Sequence, residues 1–231
     1  MKIISLASYE KMPVTFEILA KSSIEKNRNV WEDTNRDIIR IRRGDIQSTG
    51  YGVYTTKGKV IIGLMDGEIN KSVPDISGAR NGVYISNGVQ FDFYDGIIKG
   101  SSPIEGNITN TEPGYKINIS TVDNVNAATL TKISTVEAIA QVSNLYFNNL
   151  QQAINACKAG GETIKILVEI NLSETLNVAE GQNVTIDLMG NTLTVDGIEN
   201  IIENHGTLTI IDSVGGGSIN GQIDNHGQLN Q

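Results

Sequence analysis

The segment Gly52–Gly58 reads GVYTTKG, and thirty residues later Gly82–Gly88 reads GVYISNG. Each copy is followed by an apolar run, Asp-Gly and an isoleucine, as VIIGLMDGEI in Val60–Ile69 and QFDFYDGII in Gln90–Ile98. A related unit, IIRIRRGDI, precedes them at Ile38–Ile46. Repeats of this length predict a solenoid, because a single coil buries its apolar face only against its neighbours.

A tighter repeat lies near the C-terminus. Ile202–Leu208 reads IENHGTL and Ile223–Leu229 reads IDNHGQL, an offset of 21 residues. Stacked strands lie about 4.8 Å apart, so equivalent side chains form ladders along the solenoid. Asn204 is therefore expected to lie in register with Asn225. The side chains predicted to point inward and be buried are Val53, Val83, Ile202 and Ile223.

Glycine recurs where one strand-like run gives way to the next. Such corners favour a positive φ, which glycine adopts without steric cost. The corners predicted in this way are at Gly44, Gly67, Gly96 and Gly217.

The composition favours many short strands and tight turns. Of 231 residues, 24 are glycine, while aromatic residues make up only 5%. The net charge of −8 argues against a nucleic-acid partner and against docking on anionic lipid. The single cysteine, Cys157, rules out an intrachain disulfide framework and is predicted to be a small buried residue. No apolar run is long enough to predict a membrane-spanning helix.

The repeat pattern breaks in the middle of the chain. Gly114–Ile119 and Ala128–Ile133 alternate like strands around a turn-rich stretch, which predicts a hairpin between two solenoid sections. The predicted organisation is an unassigned segment at 1–36, solenoid repeats at 37–106, a β-hairpin connection at 107–143, and a capping helix with a second solenoid section at 144–231.

A helix is predicted over residues 148–159. Asn148 is the expected N-cap, with Gln151 in a capping-box-like position. Such a helix would cover an open end of the solenoid and hide its strand edges. The apolar face of this helix, at spacings of i, i+3, i+4 and i+7, comprises Leu150, Ala153, Ile154 and Cys157.

Two stretches carry a family resemblance. Leu150–Thr194, LQQAINACKAGGETIKILVEINLSETLNVAEGQNVTIDLMGNTLT, resembles the start of pectate-lyase-like β-helices, where a capping helix precedes coils with an IDLxGxTL line. The N-terminal repeats resemble those of surface or secreted proteins of Gram-positive gut bacteria. The resemblance covers residues 39–231. It implies an all-β chain, a right-handed parallel β-helix in two sections with a hairpin insertion and one capping helix.

This architecture hosts lyases, hydrolases, adhesins and inert stalks, so function depends on particular residues. A pectate lyase needs clustered acidic calcium ligands and a basic residue, usually arginine, yet every arginine precedes the predicted helix. The acidic residues in the lyase-like region are scattered, at Asp187, Asp196, Asp212 and Asp224. A glycoside hydrolase needs two carboxylates about 5–9.5 Å apart, and Glu203 with Asp224 is one such pair in register. No catalytic residue and no cofactor is predicted.

One weak candidate metal site emerges from the C-terminal repeat. Stacking would bring two imidazoles and two carboxylates to one face, a set that suits zinc or another transition metal. Those residues are Glu203, His205, Asp224 and His226. The competing interpretation, which we favour, is that Asn-His-Gly is a corner sequence that repeats because the corner repeats.

A second charged feature is the alternation of Arg40, Arg42 and Arg43 with isoleucines. It is typical of a solvated strand face, and the alternative is a basic stripe that contacts acidic glycans.

The function predicted from these observations is a non-catalytic bacterial cell-surface or secreted β-solenoid module, acting as a stalk, adhesin or glycan-contacting scaffold. The alternative is a carbohydrate-active enzyme on the same fold, either a polysaccharide lyase or a glycoside hydrolase. Glycans and host or cell-surface proteins are the expected partners, and the expected location is extracellular. The final repeat breaks off soon after IDNHGQL, which predicts a truncated solenoid and end-to-end self-association through its open coil.

Overall fold

The computed structural model describes residues 15–18, 23–26, 38–69, 72–157 and 160–231, with the backbone alone for the first two ranges and for Val122. It is a β-solenoid of about 8 turns, as the sequence predicts. The chain forms two compact units. One comprises residues up to Thr109 together with Ile117–Leu130, and the other comprises Asn110–Lys116 together with Thr131–Gln231.

The first unit is built from short strands, three to a coil once the repeats begin. They are β1 (Thr15–Ile18), β2 (Ser23–Lys26), β3 (Ile38–Ile41), β4 (Asp45–Ser48), β5 (Tyr51–Thr55), β6 (Lys59–Ile62), β7 (Asp75–Gly78), β8 (Asn81–Ile85), β9 (Gln90–Phe93), β10 (Ile97–Gly100) and β11 (Ser102–Glu105).

These strands stack into three parallel sheets. β1, β3, β6 and β9 form the first, and β2, β4, β7 and β10 form the second. β5, β8 and β11 form the third. The two earliest strands lie in the segment that the sequence left unassigned, so the sheets begin before the recognisable repeats. The remaining parts of residues 1–36 lie outside the described residues.

The predicted hairpin is present as β13 (Tyr115–Val122) and β14 (Val125–Lys132). β14 runs antiparallel to β10, with Ile98 opposite Ala128, so the hairpin continues the second sheet. Asp123 and Asn124 have φ angles of 52° and 62°. A two-residue loop with positive φ at both positions is a type I′ turn, whose twist matches that of a hairpin.

The second unit repeats the three-strand coil. Its elements are β12 (Asn110–Thr111), β15 (Ala140–Val142), β16 (Leu145–Phe147), α1 (Leu150–Ala156), β17 (Glu162–Ile166), β18 (Ile170–Leu172), β19 (Leu176–Val178), β20 (Asn183–Asp187), β21 (Thr192–Val195), β22 (Asn200–Asn204), β23 (Thr207–Ile211), β24 (Ser218–Asn220), β25 (Gln222–Asn225) and β26 (Gln228–Asn230).

Its three parallel stacks are β17-β20-β23-β26, β18-β21-β24 and β19-β22-β25. A second hairpin, β15–β16, continues the first stack by antiparallel pairing of β15 with β17, where Ala140 lies opposite Ile166. This hairpin was absent from the sequence-based prediction. Its turn includes Ser143, which adopts a φ of 54°.

Helix α1 is shorter than predicted and has a different cap. The Asn149 side chain, and not that of Asn148, accepts a hydrogen bond from the Gln152 N–H at 2.9 Å. The helix ends at Ala156, and residues 158–159 lie outside the described residues. Its predicted apolar face is confirmed, because Leu150, Ala153, Ile154 and Cys157 are all buried.

The helix covers a strand edge through one side chain. Gln151 donates from Nε2 to the Asn177 carbonyl at 2.9 Å and accepts from the Asn177 N–H at 2.7 Å. The side-chain amide thus takes the place of the next strand of β19, and the exposed backbone groups of that edge are satisfied. This contact supports the predicted capping role of the helix.

Cys157 is buried and donates from Sγ to the Ala153 carbonyl at 3.3 Å. Burial, with the negative charge of Glu162 adding to it, raises the pKa of Cys157 to about 12. The thiolate is therefore scarce at neutral pH, and Cys157 is a packing residue rather than a nucleophile.

The predicted inward ladders are present. Val53 lies opposite Val83 and Ile202 opposite Ile223. Val53, Val83 and Ile202 have 0% exposure, as expected. Ile223 is only half-buried, although it packs against the core of its unit, because β25 is the edge strand of its stack.

Most of the predicted corner glycines have positive φ, with values of 104° at Gly44, 83° at Gly67 and 102° at Gly96. Gly217 is the exception, because its φ lies outside the left-handed region. A Cβ at Gly217 would lie 2.8 Å from the Asn191 carbonyl oxygen and 2.8 Å from the Leu188 Cβ. Close approach of neighbouring atoms, rather than a special dihedral angle, therefore requires glycine there.

Candidate functional site

The repeated Asn-His-Gly segments lie one above the other, in the predicted register. Glu203 is opposite Asp224 and Asn204 opposite Asn225 in the parallel pair β22–β25. Asn204 is fully buried and donates from Nδ2 to Asn225 Oδ1 at 2.6 Å and to the Gln228 carbonyl at 3.0 Å. The asparagine pair is therefore a corner ladder in which neighbouring coils satisfy each other's amides.

The two histidines that follow are stacked. The ring centroids of His205 and His226 are 5.0 Å apart, and the two ring planes are inclined by 10°. His205 Nε2 lies 2.8 Å from Glu203 Oε1, and His226 Nε2 lies 3.2 Å from Asp224 Oδ2. Each imidazole pairs with the carboxylate of its own coil, so the four groups form two parallel pairs.

This arrangement bears on the weak candidate metal site at Glu203, His205, Asp224 and His226. Within the described residues, no group of three or more His, Cys, Asp or Glu side chains is placed to hold a metal ion. A tetrahedral site needs its ligands directed at one point, whereas Nε2 of each histidine lies against a carboxylate in its own coil.

We expect zinc and nickel not to bind this ladder with micromolar affinity. Metal binding would require both imidazoles to leave their carboxylate partners, and the described residues hold no set of three or more ligands placed for a metal ion that would compensate for that loss. Isothermal titration calorimetry of the chain and of His205→Ala tests this. Micromolar binding that disappears in the variant would contradict the expectation and establish the metal site.

Two of the acidic residues considered as lyase ligands instead hold corners together. Asp212 accepts from the Gly190 N–H and the Gly217 N–H, both at 2.7 Å. Asp187 accepts from the Ser213 N–H at 3.0 Å and the Met189 N–H at 3.1 Å. Each carboxylate bonds the backbone of a neighbouring coil as well as its own, so both stabilise the stack.

These hydrogen bonds lower both pKa values. For Asp212 the largest cause is the bond from the Gly217 N–H, and burial opposes it. For Asp187 burial raises the pKa, but the bonds from Ser213 and Met189 together outweigh it. The ionised form is therefore favoured in the folded chain.

We expect these aspartates to make the second unit acid-sensitive. A folded-state pKa below the unfolded value contributes stability that is present above the ordinary carboxyl pKa, near 4, and is lost as pH falls through the lowered values. Asp212→Asn should therefore lower the urea midpoint at pH 7 but change it less at acidic pH, once the Asp212 carboxyl group is protonated in the folded chain as well. The exposed Asp196→Asn is the matched control, and an equal midpoint loss for Asp212→Asn at both pH values would contradict the assignment.

A feature that sequence reasoning missed lies on the third sheet of the first unit. Tyr51, Tyr54 and Tyr84, hereafter the tyrosine cluster, are all half-buried. Tyr54 and Tyr84 stack with centroids 4.9 Å apart at 10°, while Tyr51 lies 5.2 Å from Tyr54 and 5.6 Å from Tyr84. The Arg80 guanidinium carbon lies 5.5 Å from the centre of the Tyr51 ring, a cation–π contact.

The signal for this cluster was in the repeat that predicted the fold. Val53 and Val83 point inward, and successive side chains of a strand point to opposite faces. The tyrosine after each valine in GVY therefore points outward, in register with its copy. The next coil has Glu105 opposite Tyr84, so the aromatic pair is bordered by a carboxylate.

The predicted arginine stripe is only partly a strand face. Arg40 lies in β3, opposite Ile61 in β6, and is half-buried. Arg42 and Arg43 follow the end of that strand, and of the two only Arg43 is exposed. The three guanidinium groups therefore do not share one continuous strand.

Comparisons with models of protein families, with curated proteins and with solved structures found no match to this chain. In the part of the chain that the structure describes, no helix has the length and apolar character needed to cross a membrane.

Proposed function

We propose that this chain is a non-catalytic β-solenoid module of a bacterial secreted or cell-surface protein, and that it presents the tyrosine cluster to glycans. The observation that carries the glycan part is the cluster itself. Aromatic side chains are uncommon in this chain, at 5%, yet three of them meet on one outer face with a guanidinium group beside them.

The scaffold part rests on how the coils are held. The strands of the repeats pair in parallel with their equivalents in neighbouring coils, and most of the buried side chains are aliphatic or aromatic. Such a stack is stabilised between neighbours and extends along one axis, which suits a stalk or a spacer.

The placement of α1 supports a relationship with pectate-lyase-like β-helices. In the resemblance, a capping helix precedes coils with an IDLxGxTL line, and here α1 covers the edge of β19 before the coil that contains Ile186-Asp187-Leu188. This relationship concerns architecture alone, because the chain places its arginines elsewhere.

Several charged groups of the coils support a non-catalytic role, because they are engaged in structural contacts. Lys59 pairs with the buried Asp92 at 2.6 Å, and Lys99 pairs with Asp75 at 2.5 Å, each across neighbouring coils. Asp187 and Asp212 accept backbone hydrogen bonds, as described above. A glycoside hydrolase instead needs a pair of carboxyl groups that act on the substrate, one as the acid and the other as the base or nucleophile.

The tyrosine cluster suits a sugar for chemical reasons. Pyranose rings present C–H groups to aromatic faces, while their hydroxyl groups bond phenol, guanidinium and carboxylate groups. Tyrosine and arginine contribute most at binding surfaces because they combine large apolar area with polar ends. Arg80 and Glu105, both exposed, border the cluster and provide a donor and an acceptor.

Binding to a panel of immobilised neutral and acidic polysaccharides tests the glycan contact. Tyr54→Ala and Tyr84→Ala should each weaken retention by about tenfold or more, the effect typical of a contact residue. Tyr146→Ala, at a half-buried tyrosine of β16 outside the cluster, is the matched control and should bind like the unmodified chain. Absence of binding by the unmodified chain, or equal retention by all variants, would refute glycan contact.

Turnover assays test the non-catalytic part separately. We expect no unsaturated products from polygalacturonate and no reducing ends from host-type glycans, with or without calcium. Product release above a protein-free blank would identify the chain as a carbohydrate-active enzyme and overturn the scaffold proposal, whatever the binding assay shows.

A further inference from the structure

β13 is an edge strand of unusual length for this chain. It spans Tyr115–Val122, eight residues, and stands at the end of its sheet, with β14 as its one neighbour among the described residues. An edge strand presents a row of backbone N–H and C=O groups that template pairing with another strand.

The edge lacks the features that normally block such pairing. Proteins blunt edge strands with proline, bulges, charged side chains or very short length. Between Ile117 and Val122 the sequence is INISTV, without proline, glycine or charge. Ile119 is 60% exposed, and Val125, next to the turn, is 41% exposed. The one charged residue of the strand, Lys116, is ion-paired with Glu137.

The turn identifies which backbone groups face outward. In a two-residue hairpin the flanking residues, Val122 and Val125, form a hydrogen-bonded pair, and such pairs alternate along the ladder. The N–H and C=O groups of Val122 and of every second residue before it are therefore directed at β14. Those of Ile117, Ile119 and Thr121 are directed away from it, and no strand among the described residues pairs with them.

We propose that β13 pairs antiparallel with β13 of a second copy of this chain, about a two-fold axis at Asn118. This register places Ile117 opposite Ile119 of the second copy, which matches the outward backbone groups of both. Tyr115 then lies opposite Thr121, and Lys116 opposite Ser120, so no like charges meet. Aliphatic and aromatic–β-branched cross-strand pairs of this kind stabilise antiparallel sheets.

We assign a second copy of this chain as the partner of β13 because the sequence of this strand is complementary to itself. A two-fold contact requires the same patch on both molecules to fit itself. Around Asn118 the strand meets this condition at Ile117 and Ile119, and it pairs two asparagine amides at the axis. The backbone of Tyr115 lies outside the paired stretch, because its N–H donates to the Glu112 carbonyl and its C=O accepts from the Thr111 hydroxyl. This inference is independent of glycan binding, because the tyrosine cluster belongs to a different sheet.

Sedimentation velocity across a range of protein concentrations is the first test. The chain should form a dimer, and Ile119→Lys should weaken dimerisation by about tenfold or more, because a lysine at a paired edge position must lose hydration. Val136→Lys, at a residue that is 93% exposed and outside the strand, is the matched control and should dimerise normally. A monomer at all concentrations, or a dimer that Ile119→Lys leaves unchanged, would overturn the proposal.

Cross-linking tests the register directly. Across a non-hydrogen-bonded antiparallel pair the Cα atoms lie about 4.5 Å apart, within the range that a disulfide spans. Asn118→Cys should therefore oxidise to a covalent dimer. Thr121→Cys should not, because the two copies of that position would be six residues, about 20 Å, apart. The buried Cys157 leaves this readout undisturbed. Equal cross-linking of both variants, or none in Asn118→Cys, would refute the register.

Discussion

Replacement of Ile202 with alanine should lower the free energy of unfolding of the second unit by about 2–5 kcal/mol. The Ile202 side chain has 0% exposure and lies between Leu176 and Ile223 in the inward ladder of three stacked strands. Stacked coils hold the backbone on both sides at fixed spacing, so the cavity left by the lost methyl groups collapses only partly. Urea unfolding followed by circular dichroism measures the change.

Ile223→Ala is the matched control, because it makes the same chemical change in the same ladder one coil further on. Ile223 is half-buried and lies in the edge strand of its stack, so we expect a loss less than half as large. Because both variants replace isoleucine with alanine, a difference in their unfolding free energies reports the difference in burial. Equal losses at the two positions would mean that the coils pack differently from the ladder described here.

The solenoid was predictable because residues at equivalent positions of a sequence repeat occupy equivalent positions in stacked coils. If Gly82–Gly88 repeats Gly52–Gly58, and each coil buries its apolar residues against the next, equivalent residues must lie above one another. The observed pairs Val53–Val83 and Asn204–Asn225 follow from that argument alone. The apolar face of the helix from Leu150 to Cys157 was equally predictable, because apolar residues at i, i+3, i+4 and i+7 are typical of one face of a helix.

Apart from the tyrosine cluster, the features that sequence reasoning missed depend on interactions that do not repeat from coil to coil. The β15–β16 hairpin has strands of only three residues, too short for alternation to be distinguished from chance. The N-cap is Asn149 and not the predicted Asn148, because two neighbouring asparagines offer equivalent side chains and the sequence alone does not distinguish them. Strands β1 and β2 pair with the first repeat although their sequence does not match the repeats.

The sequence predicted which residues of the candidate site lie next to each other, but not which contacts their side chains make. The strand register places His205 next to His226 and Glu203 opposite Asp224, as expected. The pairing of each histidine with the carboxylate two residues before it depends on side-chain rotamers, which no repeat specifies. In the same way, the roles of Asp187 and Asp212 depend on backbone N–H groups of neighbouring turns. Tyr54 and Tyr84 were accessible to the register argument, because outward positions repeat as faithfully as inward ones.

Gly78→Ala should be the most disruptive glycine substitution in the first unit. Gly78 ends β7 at the corner that leads into β8, and it is buried. A Cβ there would lie 1.9 Å from the Asn81 carbonyl oxygen, and 2.7 Å from both the Gly50 carbonyl oxygen and the Gly52 nitrogen. All three atoms belong to the backbone, so no side-chain rotation relieves the overlap.

The corner must therefore move, and its movement breaks contacts between coils. The Ala79 N–H donates to the Ser48 carbonyl at 3.0 Å, and the Arg80 N–H donates to the Gly50 carbonyl at 2.9 Å. Displacement of this backbone loses or stretches both bonds in addition to the steric strain. We expect a loss of about 3 kcal/mol or more in the free energy of unfolding, the upper range for overpacked sites.

Gly160→Ala is the control for this substitution. Its Cβ would have no neighbour closer than 3.8 Å, and its φ is outside the left-handed region, so the change in unfolding free energy should stay within about 0.5 kcal/mol. Thermal and urea unfolding of both variants give the comparison. If Gly78→Ala were as stable as Gly160→Ala, the corner between β7 and β8 would have room for a side chain, and the close stacking of neighbouring coils at that corner would be wrong.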